Sequence, residues 1–196
     1  MRIDNSFEVA ADRGTVWELL MDVPRVVPCM PGAELVEEVD ESTWRAKMAV
    51  KLGPISLSFA TDVHRDEADA EVGRVRLSAK AREMRGRGAA QATIESTLSP
   101  VEGGTRVSIA TELGLSGAVA QYGRGIVPDV TAQLVEQFAA CLQGQLTAAT
   151  PEQASAAVAA QAKPIGGIRL VLAALLRRLR PRRRGQELPA AGRSTE

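Results

Sequence analysis

Six successive segments of this chain alternate apolar and polar residues with a period of two, and this pattern limits the possible fold more than any other feature. The segments span residues 33–39, 44–52, 55–64, 73–83, 89–98 and 105–113. In the third segment, Ile55, Leu57 and Phe59 share one face of a strand, and the serines between them share the other. Alternation of this kind, interrupted by short turns, predicts an antiparallel sheet with one covered face.

The residues before these segments predict a further strand and a helix. Residues 3–10 alternate weakly and predict a first strand. Asp12 is placed to cap a helix over residues 13–21, whose apolar side chains turn inward. Those inward side chains are Val16, Trp17, Leu19 and Leu20. Three prolines then predict a short helix or an irregular loop, and they are Pro24, Pro28 and Pro31.

A long helix is predicted after the strands, over residues 126–148. Its apolar residues recur at steps of three and four and form one stripe. The stripe consists of Val127, Val130, Leu134, Phe138, Cys141 and Leu142. Pro128 lies in the first turn, where proline is tolerated. The complete pattern predicts an α+β domain in which a curved, seven-stranded antiparallel sheet wraps around the C-terminal helix.

Small residues at inward positions of the predicted sheet raise the question of space beneath the helix. They are Ala46, Ala79, Ala81, Ala90 and Ala92. One interpretation is tight packing, in which the alanines let the helix approach the sheet. The other is an internal apolar cavity, which would suit a hydrophobic ligand. The predicted ligand-binding residues are Met48, Val50, Leu57, Phe59, Leu77, Ile94, Ile109, Tyr122, Val130, Leu134 and Phe138.

Residues typical of catalysis or of metal binding are scarce. The one histidine, His64, is expected to face solvent, and no nucleophile–base pair is apparent. Acidic clusters at 37–41 and 66–71 lack the spacing of a calcium loop and are interpreted as solvated turns. Cys29 and Cys141 have no metal-like spacing and are expected to be reduced thiols. We therefore expect a non-catalytic protein without a metal site.

The formal net charge of zero conceals two oppositely charged parts. The first 150 residues carry 21 acidic and 15 basic residues, and the remaining 46 carry three acidic and nine basic residues. This asymmetry predicts two surfaces with different partners. Aromatic residues make up 3% of the chain, which argues against the base stacking used by single-stranded nucleic acid binders. We expect no nucleic acid partner.

The basic part contains an amphipathic pattern over residues 166–180, which Pro181 ends. A basic amphipathic helix that is too short to span a bilayer lies in the membrane interface. The predicted membrane-binding residues are Ile168, Leu172, Leu175, Leu176, Leu179, Arg177, Arg178, Arg180, Arg182, Arg183 and Arg184. Two alternatives are that this helix packs on its own domain and that the arginines bind nucleic acid nonspecifically. Leucines in helical register favour lipid.

These signals divide the chain into four parts. Residues 1–148 form the predicted ligand-binding domain, 149–165 an alanine-rich flexible linker, 166–184 the membrane-docking helix and 185–196 a disordered tail. The first residues lack the apolar stretch of a secretory signal. We therefore expect a cytoplasmic protein that is peripheral on the inner face of the cytoplasmic membrane.

Several short motifs resemble a known family. The most specific are Leu52-Gly53-Pro54-Ile55 at the first hairpin and the stretch SGAVAQYGR at residues 116–124. Motifs of wider occurrence are Phe7-Glu8-Val9, Val16-Trp17-Glu18-Leu19-Leu20, Pro31-Gly32, Gly86-Arg87-Gly88 and Gly104-Thr105-Arg106-Val107. On these motifs, residues 1–148 resemble the carbon monoxide dehydrogenase subunit (CoxG-like) family of the START-like helix-grip (SRPBCC) superfamily. One departure is Gln137-Phe138-Ala139, where relatives often carry paired aromatics.

The resemblance implies a helix-grip fold around a cavity and a role beside a molybdenum-containing enzyme. That enzyme is a carbon monoxide dehydrogenase or a related hydroxylase, which the protein would associate with the cytoplasmic membrane. Because such an enzyme passes electrons to the respiratory chain, we expect the ligand to be an isoprenoid quinone, menaquinone, presented as electron acceptor. No covalent cofactor is expected. The expected cavity entrance comprises Met30, Pro31, Gly32, Gly117, Gly123 and Gly125.

Two other functions remain open at this point. One is a membrane anchor or assembly factor that binds no ligand. The other is a cyclase- or aromatase-like enzyme acting on a hydrophobic substrate. An enzyme would need polar groups inside the cavity, and the candidates are Thr61, Ser96, Thr111 and Tyr122.

Overall fold

All seven predicted strands are present in the computed structural model, which describes residues 1–52, 55–122, 125 and 127–148. The strands are β1 Arg2–Val9, β2 Ala33–Asp40, β3 Thr43–Leu52, β4 Ile55–Asp69, β5 Arg74–Glu83, β6 Gly88–Val101 and β7 Gly104–Gly117. They form one antiparallel sheet in the order β1-β7-β6-β5-β4-β3-β2. Strands β2 to β7 therefore follow one another across the sheet, and β1 returns to pair with β7.

Both predicted helices are present, the segment with three prolines forms short helices, and one further short helix, over 118–122, was not predicted. The helices are α1 Arg13–Met21, α2 Val23–Val26, a first 3₁₀ helix Val27–Cys29, a second 3₁₀ helix Ala118–Tyr122 and α3 Val127–Thr147. The Asp12 carboxylate caps α1 by accepting hydrogen bonds from the Thr15 hydroxyl (2.6 Å) and the Thr15 amide (3.0 Å). These bonds lower the pKa of Asp12 below its usual value. The cap confirms the predicted start of the helix.

Three strands continue well beyond their predicted ends. Strand β4 continues from residue 64 to Asp69, β6 from residue 98 to Val101 and β7 from residue 113 to Gly117. In β4 the charged residues after His64 resemble a turn, yet the alternation persists and leaves Val63 and Arg65 more buried than their neighbours. The pairing with β5 shifts register only beyond Arg65. Pairing with the neighbouring strand therefore keeps this segment in a β-strand, although its composition suggested a turn.

The hairpin turns alternate between two ends of the sheet because the chain reverses direction at each one. We call one end the α1 end, because the Arg13 side chain of α1 donates a hydrogen bond to the Glu71 carbonyl in the β4–β5 turn (3.1 Å). The β2–β3 and β6–β7 turns lie at the same end. The β3–β4 and β5–β6 turns lie at the opposite end, which we call the β5–β6 end. Helix α3 runs from the β5–β6 end to the α1 end, since Val130 packs beside Leu57 and Leu146 beside Val9.

The helices cover one face of the sheet, which we call the inner face, and three clusters of buried residues lie there. The β4 cluster, at the β5–β6 end, consists of Leu57, Phe59 and Val119. The α1 cluster, at the α1 end, consists of Val9, Val16, Leu98 and Val107. The cysteine cluster, between α1 and α3, consists of Leu19, Cys29, Phe138, Cys141 and Leu142. The core is therefore divided along the length of α3.

The expectation of two reduced thiols is wrong in this structure. Cys29 and Cys141 form a disulfide with a Cα–Cα distance of 5.4 Å, and both residues are completely buried. They are 112 residues apart in sequence, so spacing alone could not reveal the pair. The bond joins the first 3₁₀ helix to the C-terminal half of α3. The Gln145 amide adds a second link by donating to the Arg25 carbonyl oxygen (2.9 Å).

Candidate ligand-binding site

The predicted ligand-binding residues divide between packed and open parts of the inner face. Five of them meet in or against the β4 cluster, namely Met48, Val50, Leu57, Phe59 and Val130. Phe138 belongs to the cysteine cluster, and Ile109 packs against the α1 cluster. These seven residues lie at the two ends of the covered space. They contribute to the packing that supports the domain.

Phe138 has an aromatic partner, although its neighbours in sequence are not aromatic. The ring of Phe7 on β1 meets it edge-on, with a centroid separation of 6.0 Å and an interplanar angle of 83°. Edge-to-face pairs of this kind add stabilisation beyond their buried area. The second aromatic group at this position therefore comes from β1, which tertiary contact brings to α3.

An open band crosses the middle of the inner face between the packed ends. Two adjacent rows of paired residues form it, each running across β5, β6 and β7. The rows are Leu77, Ile94 and Thr111, and Ala79, Ala92 and Leu113. All six residues are half-buried, as Met48, Val50 and Val130 also are, but none of the five apolar ones belongs to or packs against the three clusters. By contrast Val75, which precedes them on β5, is buried at 6% exposure.

The apolar stripe of helix α3 also has packed residues on either side of a less tightly packed one. Val130 packs against the β4 cluster and Phe138 belongs to the cysteine cluster. Leu134, halfway between them, is half-buried and belongs to none of the three clusters. The open band of the sheet and the half-buried segment of the helix thus share one level of the domain. The predicted residues Leu77, Ile94 and Leu134 are all half-buried outside the three clusters, and that they line one enclosed cavity stays a prediction.

Several polar side chains of the strands lie on the inner face. The Thr61 hydroxyl oxygen is buried and has no hydrogen-bond partner among the residues that the structure describes. Thr61 pairs with Ala46 on β3 and Ala81 on β5, so its neighbours are small and apolar. A buried hydroxyl without a partner costs about 1–3 kcal/mol. Thr111 lies in the open band itself. Arg65 pairs with Leu77 of the band, and Ser96 and Asn5 both pair with Ile109 in the adjacent row, so these side chains are further polar neighbours of the candidate site.

Arg65 is an inner-face residue that the sequence reasoning missed. Its guanidinium lies over the ring of buried Trp44, 5.2 Å from the centroid, and donates to the Glu41 carbonyl oxygen (2.8 Å). The pair closes the β3–β4 side of the inner face at the α1 end. The sequence does carry a signal for this placement, because Thr61, Val63 and Arg65 continue the period-two pattern. The predicted strand ends at residue 64 and therefore excludes Arg65.

The residues of the predicted entrance lie towards the β5–β6 end. Gly32 accepts a hydrogen bond from the Ala49 amide (2.8 Å), and Gly117 is paired with Gly88. Pro31 is buried, and Met30 packs against the cysteine cluster. Gly125 is exposed, the second 3₁₀ helix ends at Tyr122, and Gly123 and the Tyr122 side chain lie outside the described residues. Whether these residues bound an opening stays a prediction.

The described residues contain little that resembles a catalytic or metal centre. His64 is exposed as expected, with Nδ1 3.0 Å from the Thr43 hydroxyl. No group of three or more potential metal ligands occurs in the described part of the chain. Glu83 is a buried carboxylate at 5% exposure, but its Oε2 already accepts the amides of Arg85 (2.8 Å) and Arg87 (3.1 Å). Glu83 therefore stabilises the β5–β6 turn through these hydrogen bonds.

The predicted linker, membrane-docking helix and tail lie outside the described residues. This includes every predicted membrane-binding side chain from Ile168 to Arg184. Within the described ranges, no helix is long and apolar enough to cross a membrane.

Comparisons with solved structures agree on the fold. A conserved protein from Geobacillus kaustophilus has a TM-score of 0.67 at 19% identity, covering 74% of this chain and 95% of its own. A protein from Rhizobium loti has a TM-score of 0.52 at 17% identity, covering 71% and 95%. One from Thermus thermophilus has a TM-score of 0.50 at 15% identity, covering 83% and 100%. At these identities the likeness establishes the fold alone, which is the helix-grip fold.

Comparison at the sequence level identifies the family. No curated protein matches the chain significantly. The profile of the carbon monoxide dehydrogenase subunit family named CoxG matches residues 6–147, which is most of the chain. The match spans the sheet, the open band and α3, and it confirms the resemblance carried by the short motifs. The protein therefore belongs to the CoxG family of carbon monoxide dehydrogenase subunits.

Proposed function

We propose that this protein is a non-catalytic carrier that binds an isoprenoid quinone, menaquinone, and presents it to a membrane-associated dehydrogenase. The observation that carries the proposal is the open band on a face that α1 and α3 otherwise cover. Apolar side chains that stay accessible beneath a helix provide the kind of surface that a hydrophobic ligand binds. The family description supplies the partner class, carbon monoxide dehydrogenase.

The chemistry of the band suits a quinone. Leu77, Ile94 and Leu134 offer an apolar surface to an isoprenoid chain, and Ala79 and Ala92 leave room beside them. Quinone carbonyls accept hydrogen bonds, and the hydroxyl of half-buried Thr111 can donate one. The chain's own contribution would be to hold the ring and to keep the apolar tail out of water. Electrons would come from the partner enzyme, whose molybdenum centre is not part of this chain.

Mass spectrometry tests the proposal directly. The full chain, purified without detergent, should release stoichiometric quinone on solvent extraction and show the matching mass increase as an intact native protein. Protein that contains no lipid and binds no quinone analogue would exclude the carrier function and leave a ligand-free anchor or assembly factor.

A substitution that fills the band makes the test specific to the site. Ala92→Phe places a large ring at the centre of the row formed by Ala79, Ala92 and Leu113, and it should abolish quinone binding. Thr93→Phe adds a ring at the next residue, which points to the opposite face, and should leave binding intact. Equal loss of binding in both variants would place the ligand elsewhere.

Membrane recruitment is proposed to depend on the C-terminal part of the chain. Deleting residues 150–196 removes every predicted membrane-binding residue of the tail. We expect this deletion to weaken vesicle binding strongly while quinone binding survives. A pure anchor would lose vesicle binding in the same way but would show no quinone binding before or after the deletion.

An enzymatic function finds less support. A cyclase-like reaction on a hydrophobic substrate would need an acid and a base on the inner face. Among the described strand residues of that face, Glu83 is committed to backbone amides, Arg65 is held by Trp44 and the Glu41 carbonyl, and the others are hydroxyls and the amide of Asn5. We therefore propose binding and transport as the function of the domain.

A further inference from the structure

Charged residues of the hairpin turns segregate between the two ends of the sheet. The turns at the α1 end contain Asp40, Glu41, Asp69, Glu71 and Glu102. The turns at the β5–β6 end contain or adjoin Lys51, Arg82, Arg85 and Arg87 as well as buried Glu83, whereas Arg74, which adjoins a turn at the α1 end, is paired with Glu67. Acidic and basic turns alternate along the sequence, and the antiparallel topology places the acidic turns at one end of the sheet and the basic turns at the other. The domain therefore has an acidic end and a basic end.

The arginines of the β5–β6 hairpin have no carboxylate partners among the described residues. Elsewhere on the sheet, arginines pair across strands, as Arg76 does with Glu95 (2.8 Å) and Arg106 with Glu8 (2.7 Å). None of the ion pairs between described residues includes Arg82, Arg85 or Arg87. All three are exposed. Their charges are available to an anionic partner.

The hairpin turn is held in shape by a carboxylate on its inner side. Glu83 accepts the amides of Arg85 and Arg87, and the Gly86 amide donates to the Glu83 carbonyl (3.0 Å). Gly86 has a φ of +75°, a conformation that favours glycine. The carboxylate faces inward, so the arginine side chains project outward from an ordered turn. Burial would raise the pKa of Glu83, but the donated amides and nearby Arg87 lower it overall.

An exposed apolar side chain lies between these arginines. Met84 is 59% exposed at the start of the turn. A surface that combines exposed apolar and basic groups is typical of contact with an anionic membrane interface. A site for single-stranded nucleic acid would instead present aromatic rings for base stacking. The composition of the hairpin thus favours lipid.

The hairpin also borders the end of the inner face where the entrance is predicted. The Arg87 carbonyl oxygen accepts the Val119 amide (3.2 Å), and Gly88 is paired with Gly117. On the other side, the Met84 amide donates to the Ser58 carbonyl (2.8 Å), and Ser58 pairs with Ala49 beside Gly32. A ligand entering at this end would pass close to the hairpin.

We propose that the β5–β6 hairpin is a second membrane-contact surface, in the domain itself, that binds the headgroups of anionic lipids. It would set the β5–β6 end against the bilayer and direct the acidic end away from it. The direct route for a hydrophobic ligand would then run from the bilayer to the inner face. This last consequence rests on the proposed carrier function, whereas the membrane contact does not.

The test uses two fluorescent reporters on the full chain. Because Cys29 and Cys141 are buried in a disulfide, a single added cysteine can be labelled selectively. Met84→Cys reports on the β5–β6 end. Val72→Cys, at a position of similar exposure (55% against 59%), reports on the α1 end. An environment-sensitive label is read with phosphatidylglycerol vesicles, with phosphatidylcholine vesicles and with a short DNA duplex.

With phosphatidylglycerol vesicles, we expect the label at position 84 to shift to shorter wavelength and to become shielded from an aqueous quencher. The label at position 72 should not change. If the chain binds these vesicles while the label at 84 stays in water, or if both labels respond equally, the proposal is wrong. A response at 84 to DNA but not to the vesicles would also overturn it. Quinone extraction on the same samples reports separately on the carrier function.

Charge reversal gives an independent measure. Each arginine lost from an anionic surface should cost about fivefold in partitioning, so Arg85→Glu with Arg87→Glu should weaken binding by about 25-fold or more. Arg2→Glu with Arg106→Glu changes the net charge equally at the β1–β7 edge and should have a much smaller effect. Unchanged thermal melting confirms that each variant is folded. Equal weakening by the two pairs would indicate a general charge effect and refute a hairpin site.

Discussion

Leu134 and Leu142 lie on the same apolar stripe of α3, yet Leu142 is completely buried and Leu134 remains half-buried. The difference follows from what each residue faces. Leu142 packs in the cysteine cluster, whereas Leu134 lies outside all three clusters. Comparing the burial of these two leucines therefore shows that the middle of α3 is less tightly packed than its C-terminal part.

Truncating these two leucines should have unequal effects. Leu142→Ala removes side-chain contacts from a packed cluster and should cost about 3–5 kcal/mol of unfolding free energy. Leu134→Ala should cost less than about half of that, because its side chain is incompletely covered in the folded state. Urea unfolding of ligand-free protein measures both. Equal losses would mean that the band is packed and that no ligand space lies there.

Removing the disulfide should destabilise the domain. Cys29→Ala with Cys141→Ala opens a link between positions 112 residues apart, and the loss of such a constraint typically costs about 2–5 kcal/mol. Urea unfolding of oxidised wild type and of the double variant provides the comparison. The intact mass of denatured wild type should also increase by two alkyl groups only after reduction. Two thiols that react before reduction would contradict the pairing.

Replacing Thr61 by valine should stabilise the ligand-free protein. The substitution keeps the shape of the side chain and removes a buried hydroxyl without a described partner, so we expect a gain of about 1 kcal/mol. Thr93→Val, on the exposed face of β6, is the matched control and should change stability little. Destabilisation instead of a gain would show that the hydroxyl is already hydrogen-bonded.

Glu83 should make stability depend on pH in the acid range. Burial raises its pKa, but the amides of Arg87, Arg85 and Ser58 outweigh burial and lower the pKa below its usual value. A lowered folded-state pKa stabilises the protein above the unfolded value of about 4.3, and this stabilisation is lost as pH falls through the folded-state pKa. Glu83→Gln should therefore be less stable than wild type at pH 7, and the difference should shrink towards pH 3.

Urea midpoints between pH 7 and pH 3 measure the Glu83 effect. Glu102→Gln, at a hairpin turn of the α1 end, serves as the control for removing a carboxylate from a turn. A difference between wild type and Glu83→Gln that stays constant over the whole pH range would show that the Glu83 charge is not what holds the turn.

The order and type of elements were predictable because they rest on local patterns. Asp12 preceded an apolar stripe and does cap α1, and Gly103-Gly104 separated two alternating runs that do form a hairpin. The limits of β4 were less predictable, since Arg65 and Glu67 look like turn residues until β5 pairs with them. Among the ligand-binding candidates, the sequence identified which side chains face inward. It could not separate Leu57, which is packed, from Leu77, which is half-buried.

The sequence by itself determined the strands, the helices, the covered face and the family, because periodicity, caps and short motifs are properties of neighbouring residues. Only the tertiary structure decided the rest. It paired Cys29 with Cys141, placed Phe7 against Phe138 and left the middle of the inner face open between packed ends. It also gathered Lys51 and Arg85 at one end of the sheet. These relationships join residues distant in the chain, and their energies depend on which surfaces meet when the sheet closes on α3.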